Sequence, residues 1–150
     1  MVTRDFVATT FCVDNKKVLL MHHKKLDRWL PPGGHIDEDE LPCDCAVREF
    51  KEETGLDISL AGKEEKLGAV KKLVQPKHIQ LEDIEEGHQH IDLIYFARLK
   101  HPEQSIVIKE DEAKDIRWFS EEDLHSNEVI EEVRATAKIA LREIGDGKGI

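Results

Sequence analysis

No apolar run in the chain approaches the ~20 residues that a membrane-spanning helix needs. Met1 to Asp5 open the chain without an apolar stretch, so neither a signal peptide nor an anchor is expected, and a cytoplasmic location is. Positive charge is also in short supply. Against 32 Asp and Glu stand only 22 Lys and Arg, for a net charge of −10. A nucleic-acid polymer or an anionic membrane surface wants a basic face, so neither is an expected partner. A small phosphate-bearing molecule stays open, provided that a divalent cation screens carboxylate from phosphate. Cysteine is scarce and odd in number: Cys12, Cys43 and Cys45. The C-x-C pair has no second pair to complete a zinc site, which predicts free thiols. There is no repeat, low-complexity tract or linker.

The chain does have the apolar content of a globular domain. With 39% apolar and 36% charged residues over 150 positions, it suits one domain spanning residues 1–150. Phe6–Val13 and Val18–Met21 flank Asp14-Asn15 and predict a β-hairpin. Pro42–Thr54 predicts a helix, with proline in its first turn and Gly55 as its C-terminal cap. Leu56–Leu60, Leu67–Val74 and His90–Leu99 are expected strands, and Ile106–Ile108 and Ile116–Phe119 are shorter candidates. Gln75–Gly87 is polar, holds Pro76 and an acidic run, and predicts a long loop at the substrate rim. Ser120 is placed to cap a short helix through Leu124. Asn127–Ile144 carries an apolar stripe of helical period. Trp118 and Phe119 are expected to pack together under that last helix. Interleaved helices and strands of this kind predict a mixed sheet with helices on both faces.

The chemistry concentrates on the first helix. At about 100° per residue, Cys43, Ala46, Val47, Phe50 and Thr54 share one side, and Arg48, Glu49, Glu52 and Glu53 share the other. Like charges at i, i+3 and i, i+4 cost some tenths of a kcal/mol per pair. A solvated acidic face is the plain explanation. A Gly33-Gly34 loop leading into the helix favours a cation instead, because glycine lets backbone approach a ligand closely. Hard divalent ions take such oxygen ligands and share them with substrate phosphates.

The segment from Gly34 to Leu56 resembles the Nudix box, G-x5-E-x7-R-E-U-x-E-E-x-G-U, where U is a bulky apolar residue. Gly34, Glu40, Arg48, Glu49, Glu52, Glu53 and Gly55 fill the fixed positions, and Phe50 and Leu56 fill the U positions. Trp29-Leu30-Pro31-Pro32-Gly33 and Arg117-Trp118-Phe119 resemble the same family more weakly. Asp39 stands where many members have glycine, at a position the motif does not require.

The resemblance implies an α/β/α sandwich and a hydrolase that cleaves a diphosphate bond in a nucleotide-like small molecule. It implies Mg²⁺, with Mn²⁺ as the alternative ion. Glu52, Glu53 and the Gly34 carbonyl would be ligands, and Glu49 a ligand or the base that deprotonates water. Arg48 would hold Glu40 and the carboxylate face, and Gly55 would be structural. A further acid commonly comes from a later loop, where Glu112 is the expected residue. Homodimerisation is an expectation from the family alone.

Elsewhere, Trp29, Phe6 and Tyr95 are candidates to stack on a base, and His90, with His88 on the same strand face, is a candidate contact to substrate. Core packing and surface display are the plain explanations for these rings. The proline and tyrosine that mark two family subgroups are absent from Val70–Val74, so neither subgroup gains support. Two other classes compete. An allylic-diphosphate isomerase needs a cysteine opposite an acid, which Cys43 and Cys45 fit poorly. A catalytically silent nucleotide-binding module would be expected to have lost box glutamates, and all are intact.

Overall fold

The computed structural model describes residues 1–109, 111 and 113–145. Strand β1 (Thr3–Asp14) turns into β2 (Lys17–His23) through Asn15 and Lys16, whose φ angles are 48° and 60°. Positive φ at both central residues is the tight hairpin geometry that matches the twist of paired strands. The register is Val13 to Val18 and Asp14 to Lys17, so the expected hairpin is present with Asp14 in the strand and the turn one residue later than Asp14-Asn15. β3 (Arg28–Leu30) pairs with β2, and β4 (Gly33–His35) pairs with β1. Helix α1 (Pro42–Thr54) follows, then β5 (Ile58–Leu60), β6 (Glu65–Leu67), β7 (Val70–Lys72), β8 (His78–Glu85), β9 (His88–Leu99) and β10 (Ala113–Phe119). A single 3₁₀ turn at Asp123–His125 precedes helix α2 (Glu131–Ile144).

The main path of the sheet runs β10-β2-β1-β9-β5, with β3, β4 and β8 attached to β2, β1 and β9. β1 and β9 are parallel from Thr3–His88 to Cys12–Ala97, and the other pairings are antiparallel. The sheet is therefore mixed. Side chains alternate across it. On one face Phe11, Val18, Leu20, Ile94, Phe96 and Phe119 pack against Val133, Ala137 and Ala140 of α2. On the other, Cys12, Leu19, Met21, Ala97 and Ile116 pack with Phe50 of α1. One helix on each face makes the expected α/β/α sandwich. Among the described residues, no helix is long and apolar enough to cross a membrane.

Helix α1 has its sequence-predicted bounds. Pro42 sits in its first turn, and Gly55 takes φ 78° and donates its N–H to the Lys51 carbonyl at 2.8 Å. That left-handed cap is a conformation glycine adopts without a Cβ penalty.

Five local expectations are corrected. Gln75–Gly87 is not a loop, because β8 occupies most of it and pairs with β9 from His78–Ile94 to Glu85–His88. Its alternation, Ile79, Leu81 and then Ile84, is obscured by acidic neighbours, and those apolar side chains are exposed. Leu67–Val74 is not one strand, since β6 and β7 form a separate hairpin around Gly68. α2 begins at Glu131, later than Asn127, because the 3₁₀ turn is tied to it by Arg134, which donates to the carbonyls of Leu124 and Val129. Ile106–Ile108 is irregular, while the last strand reaches back to Ala113. Strand alternation also separates the aromatic pair: Phe119 faces α2, whereas Trp118 packs partly on the α1 side.

Candidate active site

Sequence places the acids late in α1. Glu52 and Glu53 stand in its final turn, where the helix dipole favours cations, so their charge costs stability there. Lys51 offsets part of this, although it pairs with Asp57 at 3.1 Å rather than with the box acids. The tertiary structure then brings β4 across the helix. A Cβ on Gly34 would collide with the Glu49 carboxylate, so this position admits only glycine while that carboxylate stays in place. Neighbouring Gly33 is held as closely, since a Cβ there would lie 2.5 Å from Thr9 Oγ1 and 2.7 Å from the Ala8 carbonyl.

Arg48 organises the acids. Its Nε and Nη2 donate to the two oxygens of Glu40 at 2.6 and 2.9 Å, a forked pairing. Its Nη1 reaches Glu49 at 3.1 Å and Glu52 at 3.1 Å, and Nη2 also donates to the His35 carbonyl at 3.2 Å. A planar guanidinium suits such two-point contact, and an ammonium does not. The Arg48 hydrogen bonds hold the Glu40 carboxyl below the usual range. Burial pushes Glu49 up, and the Arg48 charge opposes that shift only in part. Glu53 is 8% exposed, the most buried acid of the group.

These residues fit a hard divalent cation. Glu49, Glu52 and Glu53 share one arc of α1, and the space where a Gly34 side chain would lie is filled by the Glu49 carboxylate, so backbone and acid meet closely there with one arginine for the whole acidic group. Glu52, Glu53 and the Gly34 carbonyl are the residues that would hold the ion, with Glu49 beside them as a further ligand or as the base. Neither helix thiol competes for a catalytic role. Burial pushes Cys45 up to about 12, and its Sγ donates to the Gly34 and His35 carbonyls. Burial also raises Cys43.

The structure brings Gly34, Glu40, Arg48, Glu49, Glu52 and Glu53 together, with Gly55 closing the helix. It does not bring Trp29 or Tyr95 to an open surface. Trp29 is 3% exposed, edge-on to His22 and Phe119 at 5.0 Å each, and its Nε1 donates to Glu128 at 3.2 Å. Arg117 lies over its ring. Tyr95 is 2% exposed among Ala8, Cys43, Cys45 and Ala46. Neither ring has a free face for stacking, because strand alternation turns both into the core. Phe6 is the aromatic candidate left in the open, at 58% exposure. It lines an open groove of about 430 Å³ with Ile36, Ile79, Ile91, Leu93 and the box residues Glu38 and Glu40. Glu112 lies outside the described residues.

His90 points to the sheet face opposite the groove, in line with Ile94 and Phe96. There it meets His35 and His88, and burial lowers its pKa, helped by the positive potential of those two neighbours. Two residues on, Asp92 is 4% exposed and accepts a hydrogen bond from Thr9 at 2.9 Å. Burial, then the neighbouring Glu82, push its carboxyl up to about 9. Sequence reasoning passed over His35, Asp5, Asp92 and Glu82. His35 occupies a free position of the box, and the others become neighbours only through the β1–β9 and β8–β9 pairings.

The acidic end of α1, tied by Arg48 to β4 and carried on an α/β/α sandwich, is the candidate active site. The chain belongs to the family described as NUDIX domain, which matches residues 3–141. A hydrolase of the NUDIX family from Clostridium perfringens, known from its crystal structure, is 35% identical with a TM-score of 0.83. That match covers 94% of this chain and 98% of the other. A Lactococcus lactis subsp. cremoris (strain MG1363) protein named "Probable DHNTP pyrophosphohydrolase" is 33% identical over 107 residues. The match takes in 67% of this chain and 57% of that protein, so the chain spans little more than half its length. An RNA pyrophosphohydrolase of Bartonella tribocorum (strain CIP 105476 / IBS 506) is 46% identical over 44 residues, 27% of this chain and 25% of the relative.

Proposed function

We propose that this chain hydrolyses a diphosphate linkage in a nucleotide-like small molecule, with a divalent ion bound on the box carboxylates. The observation that carries this reading is the Gly34–Glu49 contact beside Glu52 and Glu53, an oxygen-lined site on the last two turns of α1. Glu52, Glu53 and the Gly34 carbonyl would hold Mg²⁺, or Mn²⁺ in its place. When bound, the ion lowers the pKa of water and offsets charge on the diphosphate. Glu49 stands beside Gly34 to take the proton from the attacking water. Arg48 keeps Glu40, Glu49 and Glu52 in register. Positioning and charge stabilisation are what phosphoryl chemistry asks of a protein, so no covalent nucleophile is needed. The two relatives named as pyrophosphohydrolases support the bond class; their named substrates differ and do not select one here. The groove beside Phe6 adjoins the box loop and offers an apolar surface to a planar base or similar ring.

The test is a panel of nucleoside triphosphates, nucleoside diphosphate sugars and dinucleoside polyphosphates, with and without Mg²⁺, following phosphate and diphosphate release. Mg²⁺-dependent turnover of one class is expected. The Glu52→Gln, Glu53→Gln double variant should lose at least about 10²-fold while its circular dichroism is unchanged. Phe6→Ala should raise KM more than it lowers kcat. Undiminished turnover in the double variant would refute the site. Nucleotide binding without turnover of any member would favour the catalytically silent module.

A further inference from the structure

The chain pairing gathers a second group of ligand-type side chains away from the box acids. β1 and β9 are parallel, so their first residues lie side by side, with Thr3 opposite His88 and Asp5 opposite His90. β4 runs antiparallel to β1 and places His35 opposite Val7 at the same end. Asp5, His35 and His90 each offer one ligand atom there, and these atoms lie within 4.8 Å of one another. Asp5 Oδ2 is 3.1 Å from His35 Nε2 and 3.2 Å from His88 Nε2. The His90 ring stands nearly perpendicular to both other rings, with centroids 5.0 Å from His35 and 5.3 Å from His88.

Two imidazoles and one carboxylate, with the His88 ring beside that carboxylate, form a donor set of a different kind from the box. Mg²⁺ takes oxygen, whereas imidazole with a carboxylate suits borderline ions such as Zn²⁺. Tetrahedral zinc with bonds near 2.1 Å needs ligand atoms about 3.4 Å apart. Asp5 Oδ2 and His35 Nε2 stand 3.1 Å apart, and the three ligand atoms all lie within 4.8 Å of one another. The partner of the outer nitrogen is also in place: Thr3 Oγ1 lies 2.8 Å from His88 Nδ1, which turns His88 Nε2 toward Asp5. Such outer hydrogen bonds orient the ligands of metal sites.

We propose that Asp5, His35 and His90 form a binding site for a borderline divalent ion of the Zn²⁺ class, with His88, steered by Thr3, positioning the Asp5 carboxylate. Three protein ligands leave one coordination position open to water or to an oxygen of a bound molecule, as in zinc sites that are not purely structural. The site includes none of the box glutamates and does not rest on the hydrolase reading. It meets the box at His35, which follows Gly34 on β4 and whose backbone carbonyl accepts from Arg48 Nη2 at 3.2 Å, while its ring turns to the other cluster.

The experiment titrates Zn²⁺ into the full, metal-stripped chain in the presence of excess Mg²⁺, in competition with a chromophoric chelator. Co²⁺ is then substituted, and its visible absorption reports nitrogen ligation. One tightly held Zn²⁺ per chain is expected. The His35→Ala and His90→Ala variants should each weaken it by about 10²-fold, and His88→Ala or Thr3→Val by about 10-fold. His35 is largely exposed, with 60% of its side chain accessible, so its removal leaves the fold intact, and circular dichroism checks this. The Glu52→Gln, Glu53→Gln variant should bind Zn²⁺ as the unaltered chain does. Equal affinity in the unaltered chain and the His35→Ala, His90→Ala double variant would overturn the proposal. So would loss of Zn²⁺ from the glutamate variant, since the ion would then sit on the box.

Discussion

Replacing Arg48 by glutamine removes the one cation that meets Glu40, Glu49 and Glu52 together. The forked contact to Glu40 is charge-assisted and partly buried, with 31% of the Arg48 and 13% of the Glu40 side chain exposed. Contacts of that kind contribute about 1.5–3 kcal/mol. The contact to Glu52, whose side chain is 49% exposed, adds no more than about 0.5 kcal/mol. Glu49, with 17% of its side chain exposed, is left without its counter-charge at a further cost of about 1 kcal/mol. The expected loss is about 3 kcal/mol, or roughly 10 °C in Tm for a chain of this size. Urea unfolding in EDTA at pH 7 measures it. Arg48→Lys should restore less than half, because an ammonium cannot make the fork. Adding Mg²⁺ should raise the Tm of Arg48→Gln more than that of the unaltered chain, since the freed carboxylates gain a cation. The pH sign follows from Glu40, whose folded pKa is depressed. Its contribution is present above the unfolded value near 4.3 and is lost as pH falls through the folded value. The gap between variant and unaltered chain should therefore narrow in acid. A loss below about 1 kcal/mol, or full rescue by lysine, would refute the assignment of Arg48 as the clamp.

Gly34→Ala pushes only on the movable end of Glu49, so the fold should lose less than about 1 kcal/mol while turnover falls about 10²-fold through misplacement. Gly33→Ala meets backbone of Ala8 and Thr9, so calorimetry should record a loss of about 1–3 kcal/mol; equal Tm values for the two variants would count against this packing. Asp92 has a raised folded pKa, so its contribution to stability is full below the unfolded value and fades as pH climbs toward about 9. Asp92→Asn should thus gain stability relative to the unaltered chain between pH 6 and 9, with a slope of at most about 1.4 kcal/mol per unit. Urea curves at three pH values decide the matter, and a pH-independent difference would show that Asp92 keeps its charge.

The sequence by itself determined the helix and its chemistry. Pro42 and Gly55 mark both ends of α1, and the 3.6-residue period sets Phe50 on one side and Glu49, Glu52 and Glu53 on the other, because both signals act within a few residues. The β1–β2 hairpin was legible for the same reason. β8 was not, since an edge strand with polar neighbours carries little hydrophobic alternation and is fixed by pairing with β9. Trp29 and Tyr95 are candidates for stacking with core packing as the plainer explanation, and strand alternation within the assembled sheet decides for the core. The fit of Gly34 against Glu49 required β4 to cross α1. The histidine cluster goes furthest beyond local signals: Asp5, His35 and His90 are separated by long stretches of chain, and a parallel β1–β9 register is a non-local choice that no short window of sequence encodes.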